Sequence, residues 1–202
     1  MEINEKIVAV SSQLFMDFGI KGVTMDNVAS NLGMSKRTLY EHFSDKKGLV
    51  AACVENMLSC QMIYENEVMD ASETVIDELF MLFKHMDDNY NKRGKMAFEI
   101  KKYYPEIYEA MYIRYYKNSC LRMKEWLVRG VKQGLIISEI DVDLTVYVII
   151  ETLNNLALRP ERITTSNLSL IDSFKYVIIY FFRGISTNKG VNYIDTLIKK
   201  EK

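Results

Sequence analysis

The chain has 202 residues, nearly half of them apolar, and a formal net charge of −1. That length and apolar content bury a proper core, which excludes a mainly disordered chain. The near-neutral balance excludes a protein that binds nucleic acid through bulk charge alone. The longest apolar run, Tyr176 to Phe182, is far short of the ~20 residues that span a bilayer. The first residues, Met-Glu-Ile-Asn-Glu, are polar and acidic and do not read as a signal peptide. A soluble cytoplasmic protein with no membrane partner is expected. The three cysteines, Cys53, Cys60 and Cys120, fit a reducing compartment. Cys53 and Cys60 share a helix face but stand roughly 10 Å apart along it, too far for a disulfide, which needs α-carbons within about 7 Å.

Apolar residues recur mostly at three- and four-residue spacing and the only prolines are Pro105 and Pro160, so the elements read as helices. The first covers Glu5 to Phe18, with Ile7, Val10, Leu14 and Phe18 as one stripe and Gly19 as C-cap. The second starts at Thr24, whose hydroxyl caps free amides while Val23 and Val28 take the staple positions. The third repeats the device with Ser35 as cap and Met34 and Leu39 as staple. Two such starts 11 residues apart mean two short helices joined by a tight turn. A fourth helix runs from after Ser44 to about Asn66 and, at ~1.5 Å per residue, is long enough to leave one domain and enter the next. Further helices are expected at about 74–91, 95–103, 105–131, 142–158, 169–186 and 192–200, with a polar loop over 160–169. Pro105 suits a first helical turn.

The segment from Thr24 to Phe43 carries the chemistry. Ala29 lets the next helix cross closely, and Gly33 permits the sharp turn. Val28, Leu32, Leu39 and Phe43 form an inner face. Arg37 and Glu41 then point away from the core, with Thr38, Tyr40 and His42 on the flanks. A donor-rich helix of this kind fits the major groove of DNA. Residues 33–50 hold Lys36, Arg37, Lys46 and Lys47 against Glu41 and Asp45, a local excess of two positive charges.

Phe15 and Gly19, then Gly22-Val23-Thr24, Val28-Ala29, Leu32-Gly33, Ser35, Thr38-Leu39-Tyr40, His42-Phe43 and Lys46, resemble the DNA-binding domain of the TetR family of bacterial transcriptional regulators. The match covers about residues 5–50. Farther on, Lys132-Gln-Gly-Leu-Ile136 and Asp141-Val-Asp resemble the family's turn into its dimerisation helices. The resemblance implies an all-α fold: a helix-turn-helix domain over 1–48 and a helical ligand-binding and dimerisation domain over 49–202. It implies that Lys36, Arg37 and Thr38 face base edges, beside the cap Ser35, and that Tyr40 and His42 reach phosphate, or a base in the case of His42. Thr24 would sit at a helix N-terminus aimed at phosphate, and Lys46 would pair with phosphate. Arg37 is the candidate for reading guanine, whose O6 and N7 match its fork. Glu41 departs from the residues common at that place in the family. The partners implied are double-stranded DNA with a palindromic operator, a second copy of the chain as homodimer, and a small-molecule effector of unknown identity. A repressor is expected on the resemblance alone.

Beyond residue 50, Met and Tyr recur at helical spacing. Core packing is the plain reading of each one. As a group, Met57, Tyr64, Phe83, Met86, Tyr90, Tyr108, Met111, Tyr112 and Tyr115 are candidates for a dry pocket. The segments 142–158 and 169–186 are apolar all round, so both faces must be covered. Tyr147, Ile149, Ile150, Leu153, Tyr176, Ile178, Ile179 and Phe182 are therefore expected at a two-fold interface. No cofactor or metal is expected, since His85, Asp87 and Asp88 point to different faces of one helix. The competing reading is a helical enzyme or protein-interaction module with a reader-like hairpin. It lacks a visible nucleophile-and-base pair or paired carboxylates.

Overall fold

A computed structural model describes residues 2–84, 88–158 and 170–200. The described residues are helical in ten segments: α1 (Ile3–Phe18), α2 (Met25–Leu32), α3 (Lys36–His42), α4 (Lys46–Ala71), α5 (Val75–Lys84), α6 (Asp88–Tyr103), α7 (Pro105–Lys132), α8 (Val142–Leu158), α9 (Leu170–Gly184) and α10 (Asn188–Lys200). The all-α expectation holds. Four boundaries shift: α1 begins at Ile3, α4 reaches Ala71, α10 begins at Asn188, and α6 begins at Asp88, so 88–91 belong to the sixth helix. Gly94 lies inside α6 and does not end it. A mid-helix glycine costs about 1 kcal/mol, while Met96 and Ile100 of the same helix are buried, and that packing outweighs the propensity. The expected loop over 160–169 lies outside the described residues.

The chain divides into two compact units, Met1–Ile63 with Asp88–Arg114, and Tyr64–Asp87 with Tyr115–Lys202. This grouping differs from a division after residue 48. α4 and α7 each supply residues to both units, and α6 joins the first three helices. The core of the first unit holds Ile7 and Phe15 of α1, Val28 of α2, Leu39 of α3, Leu49 and Cys53 of α4, Met96 and Ile100 of α6, and Tyr108. α6 also places Glu99 over the connection after α1. Its Oε2 accepts from the amides of Ile20 at 2.6 Å and Lys21 at 3.2 Å. Ile20 is itself buried, so its amide depends on that carboxylate. Lys92 of α6 reaches Asp17 of α1 at 2.7 Å, a second tie between the two helices.

The second unit packs α5, α8, α9, α10 and the end of α7 around Val75, Ile76, Phe83, Trp126, Leu127, Ile149, Phe182 and Ile194. The Trp126 indole N–H donates to the Val75 carbonyl at 2.9 Å, and its ring lies 4.5 Å from that of Phe182. The segment after α7 runs antiparallel to the segment after α9, with the Ile137 amide donating to Ile185 O and the Thr187 amide to Leu135 O, both at 3.0 Å. Gly190 permits this approach. A β-carbon there would stand 2.2 Å from the Leu135 carbonyl oxygen. Among the ion pairs of this unit, one involves a buried carboxylate: Glu78 is buried, and Arg129 Nη2 meets its Oε2 at 2.5 Å. A buried carboxylate is tolerated because it is paired.

Two outcomes follow from this packing. Arg129→Met strands the Glu78 charge and should lower stability by about 3 kcal/mol, whereas adding Glu78→Leu should recover most of the loss. Urea unfolding midpoints measure both. Glu99→Ala removes the acceptor of two amides, one of them buried, and should cost about 1–3 kcal/mol. It should also speed hydrogen exchange at Ile20 and Lys21 while leaving amides of the second unit unchanged.

Candidate nucleic-acid interface

α2 and α3 are short, and each is fixed at its start by a side chain. Thr24 caps α2: its Oγ1 accepts from the Asn27 amide at 3.1 Å, and the Asn27 side chain accepts from the Thr24 amide at 2.8 Å and hydroxyl at 2.7 Å. Ser35 caps α3 by accepting from the Thr38 amide at 3.0 Å, and the two hydroxyls lie 2.8 Å apart. The turn between the helices passes through Gly33 at φ +66, where a side chain would be strained, and it is closed by the Met34 amide on Ala29 O at 3.0 Å. Val23 and Leu39, expected staple residues, are buried, as are Val28 and Ala29. Leu32 and Phe43 are half-buried against the same core.

With Leu39 fully buried, the opposite side of α3 faces outward. Lys36, Arg37, Tyr40 and Glu41 are exposed, and Thr38 and His42 are half-buried on the flanks. The Lys36 ammonium lies 2.8 Å from Asp26 of α2, and the hydrogen bond to that carboxylate holds its pKa above the ordinary lysine value. Arg37 Nε donates to Glu41 Oε1 at 3.1 Å, one turn along the same helix. The structure thus brings Ser35, Lys36, Arg37, Thr38, Tyr40 and His42 onto one short helix and its cap.

Two expectations change in detail. Thr24 does sit at a helix N-terminus, but its hydroxyl proton is engaged by Asn27 rather than open to a phosphate. Lys46 is half-buried. Its ammonium donates to the Ile20 carbonyl at 2.5 Å, and burial lowers its pKa against the opposing charge of Glu99. Lys46 therefore fastens the connection after α1 from one side while Glu99 fastens it from the other. Asp26, Glu41 and Glu99 went unassigned in the sequence. The i,i+4 spacing of Arg37 and Glu41 is a signal for the second. Nothing in the sequence links Glu99 to Ile20, 79 positions away.

The pocket candidates are spread over both units. Tyr108 is buried in the first unit with its ring 6.0 Å from that of Tyr112, and Met111 and Tyr112 pack half-buried against the same core. Met57 is half-buried in that unit. Phe83 is a core residue of the second unit. There the half-buried Tyr64 donates to Met81 O at 3.5 Å, and Tyr115 is exposed. Met86 and the side chain of Tyr90 lie outside the described residues. Phe83 and Tyr108 are thus packed as core, the plain reading, because aliphatic and aromatic neighbours already surround them.

The interface candidates also separate. Ile149, Ile150, Ile178 and Phe182 are buried within the second unit, and Leu153 and Ile179 pack half-buried on the same cluster. The four buried residues cannot offer area to another copy, since that area is already removed from water. This corrects their assignment. The outward apolar set is Leu144, Tyr147 and Val148 of α8 with Tyr176 and Tyr180 of α9, of which only Tyr147 and Tyr176 were expected. Among the described residues no group of three or more His, Cys, Asp or Glu could hold a metal ion, and no helix is long and apolar enough to cross a membrane.

Comparison with known proteins agrees with this geometry. Residues 7–53 match the family model for bacterial regulatory proteins of the tetR family. The uncharacterized HTH-type transcriptional regulator YvaF of Bacillus subtilis is 28% identical over 197 residues, covering 93% of this chain and 97% of that protein. The HTH-type negative transcriptional regulator IcaR of the biofilm operon in Staphylococcus epidermidis is 27% identical over 112 residues, about half of either chain. Among solved structures, a transcriptional regulator from Cytophaga hutchinsonii superimposes with a TM-score of 0.76 at 14% identity, covering 91% of this chain and 98% of that one. The ketosteroid transcriptional regulator KstR2 of Mycobacterium tuberculosis gives 0.57 at 16% identity over 93% and 96%. Residues 7–53, which hold the helix-turn-helix at 24–43, thus match the tetR family of bacterial regulatory proteins, and the helices of the whole chain share the fold of solved transcriptional regulators.

Proposed function

We propose that this chain is a tetR-family regulator: a cytoplasmic repressor that binds a palindromic operator in double-stranded DNA as a homodimer and leaves it when a small molecule binds. The observation that carries the DNA contact is the outward face of α3. Lys36, Arg37 and Tyr40 stand exposed on a helix anchored by a fully buried Leu39. Such a helix enters the major groove with its N-terminal residues at base edges. Arg37 reads guanine. Lys36, implied by the resemblance to face a base edge, is assigned to phosphate with Tyr40 instead, because its ammonium is drawn to Asp26 of α2. Base contacts choose the sequence that phosphate contacts only position. Repression is the activity of the staphylococcal relative, a negative transcriptional regulator.

Dimerisation follows from the outward residues of α8 and α9. Leu144, Tyr147 and Val148 recur at three- and four-residue spacing, and Tyr176 and Tyr180 follow at four, with their rings 4.4 Å apart. Two exposed apolar stripes on packed neighbouring helices suit a two-fold four-helix interface. A dimer holding its reading helices about one DNA turn apart, roughly 34 Å, engages two successive major grooves. An effector that binds better to a dimer with a different separation weakens DNA binding by the same coupling.

Selection from a randomised duplex library supplies the operator for the test. Arg37→Ala should weaken binding to it by about 1–3 kcal/mol and relax preference at one base pair per half-site. Lys36→Ala should weaken all sequences alike and flatten the salt dependence. Unchanged sequence preference in Arg37→Ala would remove Arg37 as the reader. For the interface, Tyr147→Asp with Tyr176→Asp should give a folded monomer in sedimentation and abolish operator binding. Both side chains are exposed, so the change spares the core. A monomeric wild type at micromolar concentration contradicts the paired-groove arrangement.

A further inference from the structure

The DNA-facing segment carries its own counter-charges. Between Thr24 and Phe43 the cations are Lys36 and Arg37 and the anions are Asp26 and Glu41, so with neutral histidine the charges cancel. The structure pairs them one to one: Lys36 with Asp26 at 2.8 Å and Arg37 with Glu41 at 3.1 Å. A face built only to hold phosphate gains nothing from two acids placed on its two cations.

The geometry at Arg37 is specific. Glu41 takes the Nε–H alone. Among the described residues the two terminal amino groups of Arg37 have no partner, and its side chain is 90% exposed. A guanidinium has five donors in a fixed plane. Holding Nε sets the direction of that plane and leaves the edge formed by the two terminal amino groups open. Two parallel donors are what guanine O6 and N7 accept.

We infer that Glu41 is a positioning residue for Arg37, which tethers the guanidinium through Nε so that its free edge meets one guanine. The inference rests on the DNA-reading assignment above. An untethered arginine has a phosphate within reach on any sequence and loses more freedom when it docks on a base. Tethered at Nε, Arg37 gives up less on the correct base pair. The negative charges of Glu41 and Asp26 meanwhile oppose the approach of any phosphate backbone. Exposed ion pairs are weak, so the tether acts on selectivity and leaves the fold unchanged.

The test uses the full chain with three duplexes: the selected operator, the same operator changed at the base pair that Arg37→Ala identifies, and a random-sequence duplex. Each is titrated at several salt concentrations. Glu41→Ala should lower discrimination at the Arg37 base pair by about two- to fivefold. On the random duplex it should raise affinity and steepen the salt slope by about 0.9. Glu41→Gln keeps an acceptor for Nε and loses the charge, so it should raise random-duplex affinity equally and retain most of the discrimination. In an Arg37→Ala background, Glu41→Ala should leave discrimination unchanged. Loss of preference at a different base pair, with Arg37's intact, would mean that Glu41 reads a base itself and would overturn the inference. So would Glu41→Ala binding all three duplexes as the wild type does. A wild type that binds no duplex even at low salt would overturn the DNA-reading assignment, and this inference with it.

Discussion

A helix of seven residues cannot hold itself in water. Its nucleation cost exceeds what so few hydrogen bonds return, so α3 exists only because other parts of the chain fix it. Leu39 anchors its middle in the core, Ser35 satisfies an amide at its start, and the Gly33 turn sets its direction from α2. Each device acts on the inner side or the end of the helix. The outer side is left for Lys36, Arg37, Tyr40 and Glu41, and the rigidity of the inside is what gives those side chains a defined place.

That place depends in turn on residues far along the chain. The connection after α1 is held from two sides, by Glu99 accepting its amides and by Lys46 donating to its Ile20 carbonyl. Glu99 belongs to α6, whose Met96 and Ile100 lie in the same core as Phe15 and Leu39. The unit that presents α3 is therefore larger than a three-helix hairpin. A perturbation of α6 reaches the seat of α2 through a carboxylate and two buried side chains, a contiguous physical path.

The local devices were legible in the sequence. Caps, staples and the glycine turn are encoded within a few residues of where they act, so Thr24, Val23, Gly33, Ser35 and Leu39 all took their expected places. The helical periodicity of the rest gave the fold class. What sequence spacing could not show was which face of an apolar helix meets its own core. Val146-Tyr-Val-Ile-Ile150 reads as apolar all round, yet Ile149 and Ile150 turn inward while Tyr147 and Val148 turn out. Only the packing of α9 on α8 decides that. The Lys46 and Glu99 contacts were hidden for the same reason, being set by tertiary approach across 26 and 79 positions. The Met and Tyr residues between 57 and 115 did not sort into pocket and core by type, because both environments favour the same side chains.

The central claim is that α3 reads guanine from the major groove in two symmetric half-sites. Methylation protection of guanine N7 on the selected operator tests it directly, since N7 lies in the major groove and is one of the two atoms Arg37 would engage. The account predicts protected guanines in two half-sites about one helical turn apart, with one guanine per half-site losing protection in Arg37→Ala. Protection in a single half-site, or none at any guanine N7 while the protein is bound, would contradict it.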